Sequence, residues 1–233
     1  MKDKISRSFA KQISGKTFVQ SYPATIENFE HLLTSVHCLQ LDIAVPFESI
    51  ASELKSIPTN LFVPHRDTYE SNVGWKSFVL HGKSYDATRE AEYYNDDRPL
   101  VWTKEAATYC PETVKFFQNN WPSTDFERVR VMLLEPHSVI NLHNDPGSPN
   151  DAWPVNIAIT QPNNCNFYLD KFGVVPFTPG SVFLINVGNL HTVINDSNQN
   201  RYHIIVHHKK TNKKFDKIIE RSYNKLYASK IVN

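Results

Sequence analysis

Phe126-Glu-Arg-Val-Arg-Val-Met-Leu-Leu-Glu-Pro136 runs directly into His137-Ser-Val-Ile-Asn-Leu-His-Asn-Asp145. The first run is apolar and β-branched and stops at a proline, which is how a buried strand reads. Val139 to Asp145 reads as a second, shorter strand after the turn. Residues two apart on a strand project to the same face, so His143 and Asp145 point the same way. One strand end thus offers one nitrogen and one oxygen.

Further along, Ser181-Val-Phe-Leu-Ile-Asn-Val-Gly188 is another apolar strand, opened by the turn signal Pro179-Gly180, and it leads through Asn189 and Leu190 into His191. Arg201 begins the strand Arg-Tyr-His-Ile-Ile-Val206, ten residues after His191 (201 − 191). Two imidazoles and one carboxylate form a face that leaves three coordination positions open on iron(II), as oxygen-activating sites require. A hairpin of that length returns the Arg201 guanidinium toward the ion, where its planar fork suits a carboxylate.

The tripeptide alone decides little. Ten His and 12 Asp in 233 residues give about 0.5 His-x-Asp by chance (10 × 12/233). The chain holds a second copy, His65-Arg66-Asp67. That copy follows Pro64 rather than an apolar strand, its next histidine, His81, lies too close, and position 91 is Ala rather than Arg. His65 reads better as lining a substrate pocket or capping a turn.

Arg128-Val-Arg-Val-Met-Leu-Leu-Glu-Pro-His-Ser-Val-Ile-Asn-Leu-His-Asn-Asp145 resembles the start of the catalytic core in aspartyl/asparaginyl β-hydroxylase-like oxygenases, with the bacterial proline cis-hydroxylases as the nearest branch. Pro179 to His191 is similar to the same family's distal-histidine strand, Arg201-Tyr-His203 to its cosubstrate strand, and Gly74-Trp-Lys-Ser-Phe-Val-Leu-His-Gly82 to an upstream strand. The similarity covers residues 75 to 208. It implies a double-stranded β-helix (a jelly roll, cupin-like) and a reaction that uses Fe(II), 2-oxoglutarate and O2. His143, Asp145 and His191 would be the metal ligands and Arg201 the anchor of the distal carboxylate of 2-oxoglutarate. Eukaryotic members carry Arg-x-His on the strand after the first ligand pair, where this chain has Pro154-Val155-Asn156; Asn156 remains a hydrogen-bonding candidate for a ligand carboxylate. Related halogenases replace the carboxylate by a small residue, so an intact Asp145 favours hydroxylation.

A length of 233 residues suits one domain with a well-buried core. A net charge of +1 and a pI near 7.8 give nucleic acid no bulk electrostatic hold. No apolar run approaches the roughly 18 residues of a membrane helix, and Met1-Lys-Asp-Lys-Ile-Ser-Arg7 leads into no apolar signal segment. Cys38, Cys110 and Cys165 are odd in number and widely spaced. They read as reduced thiols, so a cytoplasmic location without membrane or nucleic-acid partners is expected.

The expected organisation is a helix and strand region over 1–125, a jelly-roll catalytic core over 126–208, and a C-terminal helix over 209–233. Residues 1 to 37 read as a helix or arm packed on the core, and Leu39 to Ala44 alternates as a strand. Pro46 opens a helix that Pro58 stops, and Pro111 opens a second. Thr88 to Asp97 is charged, a loop or a solvated face. Pro146 to Asn150 is a turn beside the ligand pair. Phe215, Ile218, Ile219 and Leu226 recur at helical spacing, on a helix that covers the sheet or joins two copies as a homodimer.

Around the metal, Asn141 shares a strand face with His143 by simple alternation. Arg128 and Arg130 share a face and either receive a substrate carboxylate or lie on the surface. His203 either supports the cosubstrate carboxylate or is a structural histidine bonded to backbone. The expected activity is hydroxylation of an unactivated C–H in a free, proline-like amino acid or in an Asp, Asn or Pro residue of a peptide, with succinate and CO2 released. The competing reading is a cupin-type metal-binding module or isomerase, which has no need of a buried cation ten residues after the last histidine.

Overall fold

The computed structural model describes residues 2–18, 20, 22–24, 32, 35–65, 74–87, 97–145, 154–208 and 213–231. The expected Pro146 to Asn150 turn, Trp153, Arg66-Asp67 and, Asp97 apart, the charged Thr88 to Asp97 segment lie outside the described residues. The chain opens with helix α1 (Lys2–Ser14) and strand β1 (Cys38–Gln40), followed by α2 (Phe47–Ser56), β2 (Val63–Pro64), β3 (Trp75–Gly82) and β4 (Val101–Trp102). Helices α3 (Lys104–Tyr109) and α4 (Pro111–Asn119) precede the strand-rich part. It comprises β5 (Phe126–Leu134), β6 (Ser138–His143), β7 (Val155–Ala158), β8 (Cys165–Leu169), β9 (Gly173–Val174), β10 (Val182–Ile185), β11 (His191–Asn195) and β12 (Arg201–His208). Helix α5 (Lys213–Ile231) closes it.

Two antiparallel sheets face each other. Among the described residues the larger has eight strands, in the order β1-β10-β7-β12-β5-β3-β2 with β4 beside β3, and the smaller has four, β6-β11-β8-β9. This is the double-stranded β-helix that the motif pattern implies.

Strand alternation assigns the faces. Val129, Val131, Leu133, Ile204 and Val206 point out of the larger sheet into one core cluster with Leu54, Phe117, Phe215, Ile219 and Tyr223 of the helices. Phe215 and Ile219 of the α5 stripe, with Leu226 against them, therefore pack on this sheet. Met132, Leu134, Ala158, Phe183 and Ile185 point inward, against Ile140, Phe167, Leu169 and Val193 of the smaller sheet. Helix α1 covers the smaller sheet from outside, with Ala10 against Val139 and Ile194, and the Ser6 hydroxyl accepts from Leu142 N at 2.9 Å. It thereby braces the edge strand that carries His143.

Two polar clamps set the frame. Asn195 is fully buried, and its amide donates to the carbonyls of Leu134, Glu135 and Gln199 at 3.1, 3.0 and 2.9 Å. That pins the β5–β6 turn, and with it the level of His143. Pro111 starts α4 without a side-chain cap on its own chain segment. Glu53 of α2 supplies one from a distance, accepting from Glu112 N and Thr113 N at 2.8 Å. Gly74 sits at φ +90, and a Cβ there would stand 2.0 Å from Ser138 Oγ, so only glycine lets this turn abut β6.

An aromatic cage lies under α5. His208 Nε2 accepts from Trp121 Nε1 at 2.8 Å, with the Phe215 ring 4.1 Å away. Burial pushes its pKa from 6.5 down to about 4. Below pH 6.5 the unfolded chain therefore binds a proton that the folded chain refuses until about pH 4, and stability falls across that window by on the order of 3 kcal/mol. Urea midpoints at pH 7.5 and 4.5 measure the loss. His208→Leu is expected to remove its own share of the slope and leave that of the buried His203 and His207, and an unchanged slope would place the source elsewhere.

Candidate active site

His143 and His191 face each other across the β6–β11 ladder as register partners, with ring centroids 4.2 Å apart. Asp145 lies just past the end of β6, its backbone N–H held by Val187 O at 2.9 Å, and its Oδ1 stands 3.5 Å from His143 Nε2. One ligand atom from each of His143, Asp145 and His191 falls within 4.8 Å of the others.

Backbone carbonyls fix both rings. His143 Nδ1 meets Asn141 O at 2.6 Å and His191 Nδ1 meets Asn189 O at 3.0 Å. A carbonyl only accepts, so both Nδ1 atoms carry the proton and both Nε2 lone pairs turn to the centre. Phe167 lies parallel to the His191 ring at 5.4 Å and packs it in place. Two Nε2 atoms and a carboxylate are a donor set that fits ferrous iron.

The pairing of β6 with β11 is irregular beside Asn141. The register shifts between His191 and Val193, with Val193 opposite Ile140 and His191 opposite His143. Between those pairs one residue of β11, Thr192, thus faces two of β6, Asn141 and Leu142, a bulge that breaks the period of two. What Asn141 gives His143 is its backbone carbonyl.

Arg201, at 4% exposure, is buried on the inner face of β12. One NH2 donates to His203 Nδ1 at 2.8 Å, the Phe177 ring lies 5.7 Å from its guanidinium carbon, and Nε has no hydrogen-bond partner among the described residues. Burial lowers its pKa to about 10, which leaves it charged at neutral pH. Among the described residues no carboxylate pairs with it. Phe177 also stands 6.1 Å from Phe167, so an aromatic wall joins the guanidinium to His191.

The other sequence candidates lie at a different level of the same face. Ile205 pairs with both Arg130 and Asn156, and His207 with Arg128. Six residues of strand (207 − 201), roughly 20 Å, separate the Arg201 level from that of Arg128. Asn156 therefore sits level with Arg130, away from Arg201. Both Arg128 and Arg130 are buried, which removes the surface reading. Burial, with Arg130 and Arg128 nearby, holds His207 neutral.

His65 was legible only as a pocket or turn residue, and it is a buried one. Its Nε2 lies 3.5 Å from Arg130 NH1, its Nδ1 3.2 Å from Ser77 Oγ, and its ring 4.3 Å from Trp75. Trp75 in turn stands 6.2 Å from His143. The metal face thus has Arg201 behind Phe167 and Phe177 on one side, and Arg130 behind Trp75 and His65 on the other. Gln161, which sequence reasoning passed over, reaches His203 from a loop. Nothing in its local sequence marks it out.

A 2-His-1-carboxylate face inside a double-stranded β-helix defines the mononuclear non-haem iron oxygenases of the jelly-roll class. The profile of the aspartyl/asparaginyl β-hydroxylase family matches residues 46–211, and the chain belongs to that family. The family is one of hydroxylases, and the donor set of His143, Asp145 and His191 fits iron. The match reaches upstream of residue 75, taking in α2 and β2 as well. The fold is similar to that of an oxidoreductase of the 2OG-Fe(II) oxygenase family from Burkholderia pseudomallei, with 13% identity and a TM-score of 0.51 over 82% of this chain and 95% of that one. A weaker likeness links it to HygX from Streptomyces hygroscopicus, solved with nickel, 2-oxoglutarate and hygromycin B bound (11% identity, TM-score 0.49, 80% and 88% covered). Another is to a Pseudomonas putida prolyl-4-hydroxylase (13% identity, TM-score 0.45, 78% and 97% covered). No protein of curated function matches the sequence. Among the described residues no helix is long and apolar enough to cross a membrane.

Proposed function

We propose that His143 Nε2, His191 Nε2 and the Asp145 carboxylate hold iron(II), that Arg201 with His203 behind it receives the distal carboxylate of 2-oxoglutarate, and that Arg128 and Arg130 take an anionic group of the substrate. One observation carries the reading: a buried guanidinium without a carboxylate partner among the described residues, on the face that looks toward the triad. A charge kept in that state asks for an anion from outside.

Iron(II) with 2-oxoglutarate supplies the oxidation: the keto acid loses CO2 to leave succinate, and one oxygen atom of O2 enters a substrate C–H bond. The chain's own residues do the rest. Arg201 orients the keto acid from one side, and the walls of Phe167, Phe177 and Trp75 keep water from the centre. Arg128, Arg130 and Asn156 share the other side and suit the carboxylate of a free, proline-like amino acid or of a peptidyl Asp, Asn or Pro. The free amino acid is the leading choice, because two buried arginines at successive inward positions of β5 match a compact carboxylate.

Succinate release screened across free amino acids and short peptides, with mass spectrometry for a gain of one oxygen, tests this. Turnover confined to an uncharged, non-acidic compound would remove Arg128 and Arg130 from the substrate site.

A further inference from the structure

Behind Arg201 runs a hydrogen-bond chain in which every link has one permitted direction. A guanidinium only donates, so His203 Nδ1 must accept from Arg201 NH2 at 2.8 Å. The ring proton of the neutral imidazole is then on Nε2, which donates to Gln161 Oε1 at 3.1 Å. The far end of that amide, Nε2, donates to the carbonyl of Cys165 at the start of β8. Burial and the neighbouring Arg201 charge hold His203 well below its ordinary pKa, consistent with a ring that keeps one lone pair. Phe177 meets the same imidazole edge-on at 4.6 Å and fixes its tilt.

Resting on the reading of Arg201 as the cosubstrate anchor, we propose that Gln161 is a positioning residue for 2-oxoglutarate: through His203 it sets the direction in which Arg201 presents its remaining N–H groups. The relay occupies one NH2 of the guanidinium and leaves Nε, which has no partner among the described residues, for an incoming carboxylate. Without the Gln161 amide the Nε2 proton, whose place Arg201 dictates, loses its acceptor, and the ring loses the hydrogen bond that holds its direction toward the guanidinium. Gln161 is partly exposed and belongs to a loop, so its replacement spares the core. The plainer alternative is that Gln161 only ties its loop to Cys165, four residues on.

Calorimetric titration of 2-oxoglutarate into nickel(II)-loaded protein, which binds without turning over, separates the two. Gln161→Met is expected to weaken 2-oxoglutarate binding about fivefold to twentyfold, with nickel affinity and saturated turnover within about twofold of the parent. His203→Asn keeps an acceptor near the former Nδ1 but no longer reaches Gln161. In that background Gln161→Met should add less than about twofold, the signature of two residues acting in series. Unchanged affinity in the single variant, or an equal loss in both backgrounds, overturns the proposal and leaves Arg201 as anchor. Absence of 2-oxoglutarate binding by the loaded parent protein overturns both.

Discussion

His143→Ala is expected to lower coupled succinate release by about three orders of magnitude while leaving the apo fold in place. The ring is only half-buried, and its one fixed hydrogen bond, from Nδ1 to Asn141 O, ends on a backbone carbonyl of its own strand. Little packing is lost with it. What disappears is one of two imidazole lone pairs aimed at the centre, since His191 and Asp145 alone present two ligands to a metal that needs three. Nickel at a hundred times its dissociation constant should stabilise the parent protein by about 2.7 kcal/mol, and that shift should vanish in the variant. Paired thermal melts with and without nickel make the check. His65→Ala, the control at the other His-x-Asp, should keep the full shift; a variant at 143 that keeps it would show the ligand set to be wrong.

What the sequence disclosed and what it withheld divide along a physical line. The convergence of His143, Asp145 and His191 was legible because those residue types carry the chemistry, and because an apolar run ending in Pro136 and another following Gly180 read as strands at this length. The helices that Pro46 and Pro111 open were legible for the same local reason: proline fixes φ at a first turn. The bulge between Ile140 and His143 was not. It is a property of the pairing with β11 rather than of β6 itself, so alternation along β6 gives no sign of it. The level of Asn156 along β12 was withheld for the same reason, because register belongs to two strands at once. The contacts of Gln161 with His203 and of His65 with Arg130 were not legible. Gln161 meets His203 across 42 residues of sequence and His65 meets Arg130 across 65, distances at which no local pattern operates. The apolar stripe of α5 left a choice between covering the sheet and joining a second copy, and Phe215, Ile219 and Tyr223 show where that surface is used.

Arg201→Leu is expected to separate cosubstrate binding from both metal binding and stability, and in opposite directions. The guanidinium is buried, its pKa is drawn down to about 10 by desolvation, and Nε has no partner among the described residues. An isolated charge held this way costs the apo protein free energy, and replacing it by an apolar side chain of similar reach is commonly neutral or stabilising by about 1–3 kcal/mol. His203 loses only the donor at its Nδ1, while Gln161 still accepts from its Nε2. The same substitution removes the cation that a dicarboxylate needs. A charge-assisted contact in a dry site contributes roughly 3 kcal/mol or more, so 2-oxoglutarate should bind at least about a hundredfold more weakly. Nickel should still bind, because the triad lies across the aromatic wall of Phe167 and Phe177 from residue 201. Chemical denaturation of the apo protein, read beside the two titrations, gives all three quantities. Equal loss of nickel and 2-oxoglutarate would mean that Arg201 supports the metal ligands. A large fall in apo stability would mean that an acid of the chain already neutralises it, and the anchor would have to be sought elsewhere on the inner face.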